Sequence, residues 1–157
     1  MMSIHRLKKI QRIPTSIEEL WQFISSPANL KAITPPYMGF DITSPDLPET
    51  MYAGQMITYV VKPLWGIPLQ WCTEITRVEP LPYFVDEQRQ GPYRIWHHEH
   101  HLKPIPGGVE MTDIIHYQAP LGILGELVTP WLVKPRLEEI FSYRKQKIDE
   151  IFGVFPD

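Results

Sequence analysis

Between residues 55 and 117 apolar and polar side chains alternate repeatedly, and after Pro120 that alternation gives way to a helical spacing. This switch of period constrains the fold more than any other feature of the chain. Side chains repeat every second residue along a strand and about every 3.6 residues along a helix. Gln55 to Lys62 puts Ile57, Tyr59 and Val61 on one face. Leu69 to Val78 puts Leu69, Trp71, Thr73 and Ile75 on one face, against Gln70, Cys72, Glu74 and Thr76. Phe84, Asp86 and Gln88 oppose Val85, Glu87 and Arg89. Ile95–Lys103 and Val109–Tyr117 flank Pro104-Ile105-Pro106-Gly107-Gly108, a hairpin signal. Consecutive strands joined by short turns predict an antiparallel meander. Beyond Pro120, Leu137, Ile140, Phe141, Arg144, Ile148, Ile151 and Phe152 share one side of a helix, with a kink or break expected at Pro130 and Pro135.

Ahead of the meander, Ile4 to Ile13 reads as a strand ended by Pro14. Ser16 then looks like a helix N-cap, with Glu19 three residues later completing a capping box. Ile17, Leu20, Trp21 and Ile24 form the buried stripe of that helix. Pro27 stops it, Pro27–Ile33 forms a second short helix, and Gly39–Thr43 is a short strand. The 17 prolines exceed the ordinary frequency of about 5% and fall mostly between periodic segments, as punctuation. A long C-terminal helix must bury its stripe, and the concave face of a curved sheet is the large apolar surface available to it. The expected fold is α+β: a curved antiparallel sheet of about seven strands wrapped around that helix, with two short helices between strands 1 and 2. One core can serve 157 residues, so a single domain, 1–157, is expected.

Composition narrows the function. The net charge is −3, so no overall positive field attracts phosphate backbones, and the basic stretches His5–Arg12 and Arg144–Lys147 read as solvated faces. No nucleic-acid partner is expected. The single cysteine, Cys72, forms no internal disulfide and no multi-cysteine metal site, and it falls on an outward face. A reducing compartment follows. Residues 1–14 lack the continuous apolar core of a signal peptide, and no window offers the roughly 20 apolar residues of a membrane span. A cytoplasmic protein is expected. No phosphate-cradling glycine loop and no Gly-x-Ser-x-Gly turn occurs.

The most distinctive segment is Trp96-His97-His98-Glu99-His100-His101. Alternation puts Trp96, His98, His100 and Leu102 on one face, which carries more apolar bulk and is read as inward. On the next strand Val109, Met111, Asp113, Ile115 and Tyr117 share a face. Closing the hairpin at Pro106-Gly107 sets Lys103 opposite Glu110 outside, and Leu102 opposite Met111, His100 opposite Asp113, His98 opposite Ile115, and Trp96 opposite Tyr117 inside. Asp86 and Gln88 join from the preceding strand. Such groups cost roughly 1–3 kcal/mol each if buried without partners, so they must bond to one another, to water or to a ligand. His98 and His100 face together, with Asp86 or Asp113 near enough to complete a metal site. A His-x-His on a strand is commonplace, however, and neither a metal nor another cofactor is expected. His97 and His101 read as solvated.

The element order, with Pro14-x-x-x-Glu18-Glu19-Leu20-Trp21-x-Phe23-Ile24 near the start, resembles the START-like superfamily, also called Bet v 1-like or SRPBCC. Asn29, Leu30, Ile33, Thr34, Pro35, Gly54, Trp71, Thr73, Ile75, Asp86, Gln88, Gly91, Pro92, Trp96, His98, His100, Asp113, Tyr117, Pro120 and Gly122 carry the likeness over nearly the whole chain. They point to a bacterial ligand-binding group related to polyketide cyclases/dehydrases and lipid-transport proteins. The resemblance implies a cavity between the sheet and the last helix, and a carrier or sensor of a small hydrophobic or amphipathic ligand. Tyr59, Trp71, Thr73, Ile75, Trp96, Met111 and Ile115 would line its apolar part. Asp86, Gln88, His98, His100, Asp113 and Tyr117 would hold a polar head. A cyclase or dehydratase would use His100 as base, Asp113 as its orienter, and Tyr117 or Gln88 as donor to a developing oxyanion. A filled core would instead mean a protein-interaction module. Two apolar loops, 63–68 and 120–125, are candidate gates, and would touch a membrane or a donor protein if they lie at the same end.

Overall fold

A computed structural model describes residues 3–156. Seven antiparallel strands form one sheet in the order β1-β7-β6-β5-β4-β3-β2, with β1 spanning His5–Ile13, β2 Asp41–Ile42, β3 Met56–Val61, β4 Leu69–Glu79, β5 Tyr83–Gln90, β6 Ile95–Ile105 and β7 Gly108–Gln118. After the first strand, α1 covers Ile17–Ile24, and two 3₁₀ turns follow at Pro27–Ile33 and Pro36–Met38. The C-terminal helical run comprises α2 (Ile123–Val128), a π-helical turn (Thr129–Val133) and α3 (Lys134–Phe152). This is the helix-grip arrangement expected from the period switch.

Local chemistry explains the boundaries. Ser16 Oγ accepts from the Glu19 N–H at 3.2 Å, and the Glu19 carboxylate reaches back to the Ser16 backbone N–H, as a capping box requires, and also accepts from the Thr15 hydroxyl at 2.5 Å. The expected strand at Gly39–Thr43 shrinks to Asp41–Ile42, because Gly39 adopts a left-handed conformation (φ 54°) that ends the preceding turn. Strands β6 and β7 run on to Ile105 and Gly108, leaving only Pro106-Gly107 as the turn. Proline at the first central position and a glycine at φ 84° at the second are what a type II turn demands. The resulting pairs are Lys103–Glu110, Leu102–Met111, His100–Asp113, His98–Ile115 and Trp96–Tyr117, the register the sequence predicts. The ion pair of Glu110 is formed with Arg12 of β1 (3.6 Å), since β1 completes the sheet on that side of β7.

Pro130 and Pro135 do not break the last helix. The π-helical turn at 129–133 absorbs the donor that Pro130 lacks, and Thr129 Oγ1 donates to Gly125 O at 2.8 Å. Leu137, Phe141, Arg144 and Ile148 are buried against the sheet. Ile151, placed on that stripe by spacing, is exposed, and Phe152 makes the last contact, edge-on to Phe23 at 5.4 Å. The Gln11 amide clips β1 to α3 by donating to Lys145 O (3.1 Å) and Asp149 Oδ1 (2.9 Å), and Lys9 pairs with Glu138 nearby.

The core is uneven along the grip. Ile13, Leu20, Trp21, Ile24, Val109 and Ile148 pack densely where α1 meets the end of α3. Toward α2 the packing opens into a cavity. Among the described residues no helix is long and apolar enough to cross a membrane.

Candidate ligand cavity and its buried polar cluster

The cavity measures about 520 Å³ and lies between the concave face of the sheet and the C-terminal helical run. Its sheet wall follows directly from strand alternation: Tyr59 on β3, Trp71, Thr73 and Ile75 on β4, Asp86 on β5, and Trp96, His98 and His100 on β6. The helical wall brings Leu137, Ile140, Phe141 and Arg144. Aromatic rings stiffen one side, with Tyr59 stacked on Trp71 (5.9 Å) and Trp96 edge-on to it (5.4 Å). The Tyr59 hydroxyl is 2.9 Å from Thr73 Oγ1, so that pair satisfies itself. Trp71 Nε1 is buried and has no hydrogen-bond partner among the described residues.

At the inner end sits a polar cluster on three neighbouring strands. His98 Nε2 lies 2.9 Å from Asp113 Oδ1, and His100 Nε2 lies 2.7 Å from Asp86 Oδ2. Crosswise, His98 Nδ1 is 3.5 Å from Asp86 Oδ2, and His100 Nδ1 is 3.0 Å from Asp113 Oδ1. The last contact is close but not aligned as a hydrogen bond, which leaves His100 Nδ1 without a donor–acceptor partner. The two rings are 3.8 Å apart, and Phe84 stacks on the far side of His100 at 3.9 Å. Each carboxylate therefore sees both imidazoles.

Electrostatics separate the two histidines. Burial opposes charge on His100, but Asp113 and Asp86 outweigh it and raise the pKa above the usual imidazole value. Burial and the neighbouring charge of His100 lower that of His98, although Asp86 and Asp113 pull the other way. Burial raises both carboxyls. Arg144 and the two imidazoles overcome it at Asp113, which is held well below the usual carboxylate range, and the imidazoles with Arg144 lower Asp86 as well. The cluster is thus two carboxylates, one guanidinium and two adjoining imidazoles, tilted by 35° and of unequal basicity.

Arg144 is the member that strand reasoning missed. It occupies a position of the buried helical stripe, where an arginine is out of place unless it meets a carboxylate, and that mismatch was its one signal. It is buried, its guanidinium lies 5.8 Å from the Phe141 ring centre, and its Nε has no hydrogen-bond partner among the described residues.

Five residues expected to line the cavity do not form its wall. Gln88 shares the face of Asp86, but its amide donates to Tyr93 O (2.5 Å) and accepts from Tyr93 N (3.1 Å), bracing the β5–β6 connection. Gly91 allows this, because a Cβ there would stand 2.5 Å from Gln88 Oε1. Tyr117 packs on His5 (5.5 Å) and edge-on to Tyr93 (6.3 Å), and the nearby acid that raises its pKa, after burial, is Glu138. Met111 and Ile115 are fully packed core residues, and Asp113 stands behind the histidines rather than in the cavity wall. On the outer face, His97 and His101 are not merely solvated: His97 lies 3.1 Å from Glu87 and His101 2.8 Å from Glu99.

Both apolar loops contribute to the cavity lining, through Pro63 and Leu64 of one and Pro120, Leu121, Leu124 and Gly125 of the other. In these loops or within a residue of the lining, Trp65 (81%), Leu121 (79%), Ile123 (72%) and Trp131 (84%) are exposed. Trp65 and Leu121 also hold positive φ angles of 50° and 68°, a conformation that side-chain-bearing residues adopt at a cost.

No family model matches the chain, and neither does any curated protein. Solved structures do. A protein from Rhodobacter sphaeroides shares 18% identity over 96% of this chain and 99% of its own, with a TM-score of 0.65. The ginseng major latex-like protein 151 from Panax ginseng shares 13% over 95% and 97%, with a TM-score of 0.69. Protein CV1439 from Chromobacterium violaceum shares 10% over 97% and 98%, with a TM-score of 0.70. At these identities the likeness is one of fold, and the fold of this chain is the Bet v 1-like, or START-like, helix grip.

Proposed function

We propose that the chain binds one small hydrophobic or amphipathic molecule in the cavity, as a carrier or sensor. The observation that carries this reading is the roughly 520 Å³ of space with apolar walls closed at one end by His98, His100, Asp86 and Arg144. That volume falls in the range of small-molecule sites, about 300–1,000 Å³, which combine apolar walls with a few convergent polar groups. A filled interaction module would have no such space. The orphan N–H groups of Trp71 and Arg144 call for an acceptor, so the favoured ligand is a lipid, isoprenoid or polyketide-like compound with an oxygen-bearing head. The single cysteine supports a reducing, cytoplasmic setting. A cyclase or dehydratase would keep His100 at the cavity, but neither Tyr117 nor Gln88, its two candidate donors, lines the cavity, which favours binding over turnover.

Native mass spectrometry of the purified protein, followed by organic extraction, tests the reading. A stoichiometric apolar compound is expected. A clean unliganded mass with no thermal shift across a lipid and polyketide panel overturns it.

The two apolar loops support a second element, contact with a lipid bilayer surface. Two exposed tryptophans and exposed Leu and Ile side chains lie in or next to the apolar segments that line the cavity, which fits an interfacial anchor. Co-sedimentation with phosphatidylcholine vesicles is expected, and to be lost when Trp65→Ala and Trp131→Ala are combined. No sedimentation of the unaltered protein would point to a protein donor instead.

A further inference from the structure

We propose that His98 Nδ1, His100 Nε2 and Asp86 Oδ2 form a binding site for a divalent transition metal ion, Zn²⁺ foremost, with an open coordination position facing the cavity. A His-x-His spacing is common on strands; what distinguishes this one is where the three ligand atoms stand.

One atom of each residue lies within 4.8 Å of the others. Asp86 Oδ2 is 2.7 Å from His100 Nε2 and 3.5 Å from His98 Nδ1. Ligands about 2.0–2.1 Å from a tetrahedral ion stand about 3.3 Å apart, so a small shift of the Asp86 carboxylate opens the space required. The cation would replace the hydrogen bond now between His100 and Asp86. Two imidazoles and one carboxylate suit zinc and its first-row neighbours and disfavour calcium and magnesium, which take oxygen ligands.

The surroundings match what a metal site needs. Metal-bound histidines normally give their second ring nitrogen to a carboxylate, which fixes the ring. Here His98 Nε2 is hydrogen-bonded to Asp113 Oδ1 at 2.9 Å, and His100 Nδ1 stands 3.0 Å from the same oxygen, close enough for a small turn of the ring to align it. Asp113 lies outside the cavity wall, whereas the three ligands line it. An oxygen of a cavity-bound molecule or a water would take the open position, next to Arg144. The inference goes beyond cargo binding and does not depend on it.

The test uses the metal alone. Protein stripped with chelator is titrated with Co²⁺, followed by visible absorption, and then with Zn²⁺ in competition. One ion per chain and the intense bands of a four- or five-coordinate Co²⁺ are expected. His98→Gln and Asp86→Asn should abolish binding, Asp113→Asn should weaken it about 10- to 100-fold, and the outer-face variant His101→Gln should leave it unchanged. X-ray absorption of the Zn²⁺-loaded unaltered protein should show two imidazole ligands, whatever the fate of the variants. Failure to bind either ion, an ion without two imidazoles, or equal affinity in a folded His98→Gln variant overturns the proposal. Extraction of an apolar cargo succeeds or fails independently of these outcomes.

Discussion

Asp113 reaches diagonally across the β6–β7 ladder to His98, 2.9 Å away, although its direct partner in register is His100. One carboxylate thereby holds two inward histidines, and Arg144 from α3 supplies the charge that keeps it ionised. Removing one member of a buried charged set leaves the others uncompensated, which costs more than the set contributes as a whole. Asp113→Asn should therefore lower stability by about 3 kcal/mol in urea unfolding. Arg144→Met should also destabilise, but the double variant should fall short of the sum by about 0.5 kcal/mol or more. Strict additivity would separate Arg144 from the cluster.

Gln88 provides a second prediction, because its position and its contacts imply different roles. Its amide makes two hydrogen bonds to the Tyr93 backbone, and Tyr93 in turn packs on Trp96 at 4.9 Å and Trp71 at 5.7 Å. Gln88→Ala should lower stability by about 1–2 kcal/mol without any ligand present, and should alter the tryptophan fluorescence of the cavity wall. Loss of ligand affinity with unchanged stability would return Gln88 to a head-group role.

The strand register, the inward faces and the helix grip were legible because each rests on local periodicity, and Pro106-Gly107 fixed the one hairpin that sets the polar cluster. What sequence could not show was which inward residues meet space and which meet other side chains. Ile75 and Ile115 are equally apolar and equally inward, yet only Ile75 lines the cavity. That difference is decided by where α3 crosses the sheet, a long-range property with no period. The same crossing buries Arg144 and turns Tyr117 toward His5. Polar side chains with long reach, such as Gln88, were misassigned because alternation fixes the direction of Cβ and not the destination of the amide.

Alkaline pH should destabilise the fold through its tyrosines. Burial raises the pKa of Tyr59 and of Tyr93 above 10, in both cases as the leading cause. A group whose folded pKa exceeds its unfolded value contributes stability that is complete below the unfolded pKa and is lost as pH rises toward the folded one. Unfolding free energy should hold up to about pH 10 on this account and fall above it. Spectrophotometric titration should show tyrosines that ionise only as the protein unfolds. Free ionisation of all seven near pH 10, with the fold intact, would contradict their burial.

Three glycines separate collision from backbone strain. A Cβ on Gly108 would lie 2.0 Å from Ile13 O, where β1 is drawn against the turn end of β7, and one on Gly125 would lie 1.8 Å from Pro120 O in the cavity lining. Neither residue has a positive φ, and in both the obstacle is backbone, which gives way only if a strand or α2 moves. Gly54 is the converse, with φ 90° and open space where a Cβ would go. Gly54→Ala should cost about 1–2 kcal/mol from conformation alone. Gly108→Ala should cost about 3 kcal/mol, the upper end of overpacking, and loosen the β1 edge in hydrogen exchange. Gly125→Ala should cost less overall, because α2 can swing outward where Ile123, Leu124 and Leu127 are already exposed. Its signature should be faster release of any bound apolar probe. An unchanged release rate in a folded Gly125→Ala protein would mean that α2 does not gate the cavity.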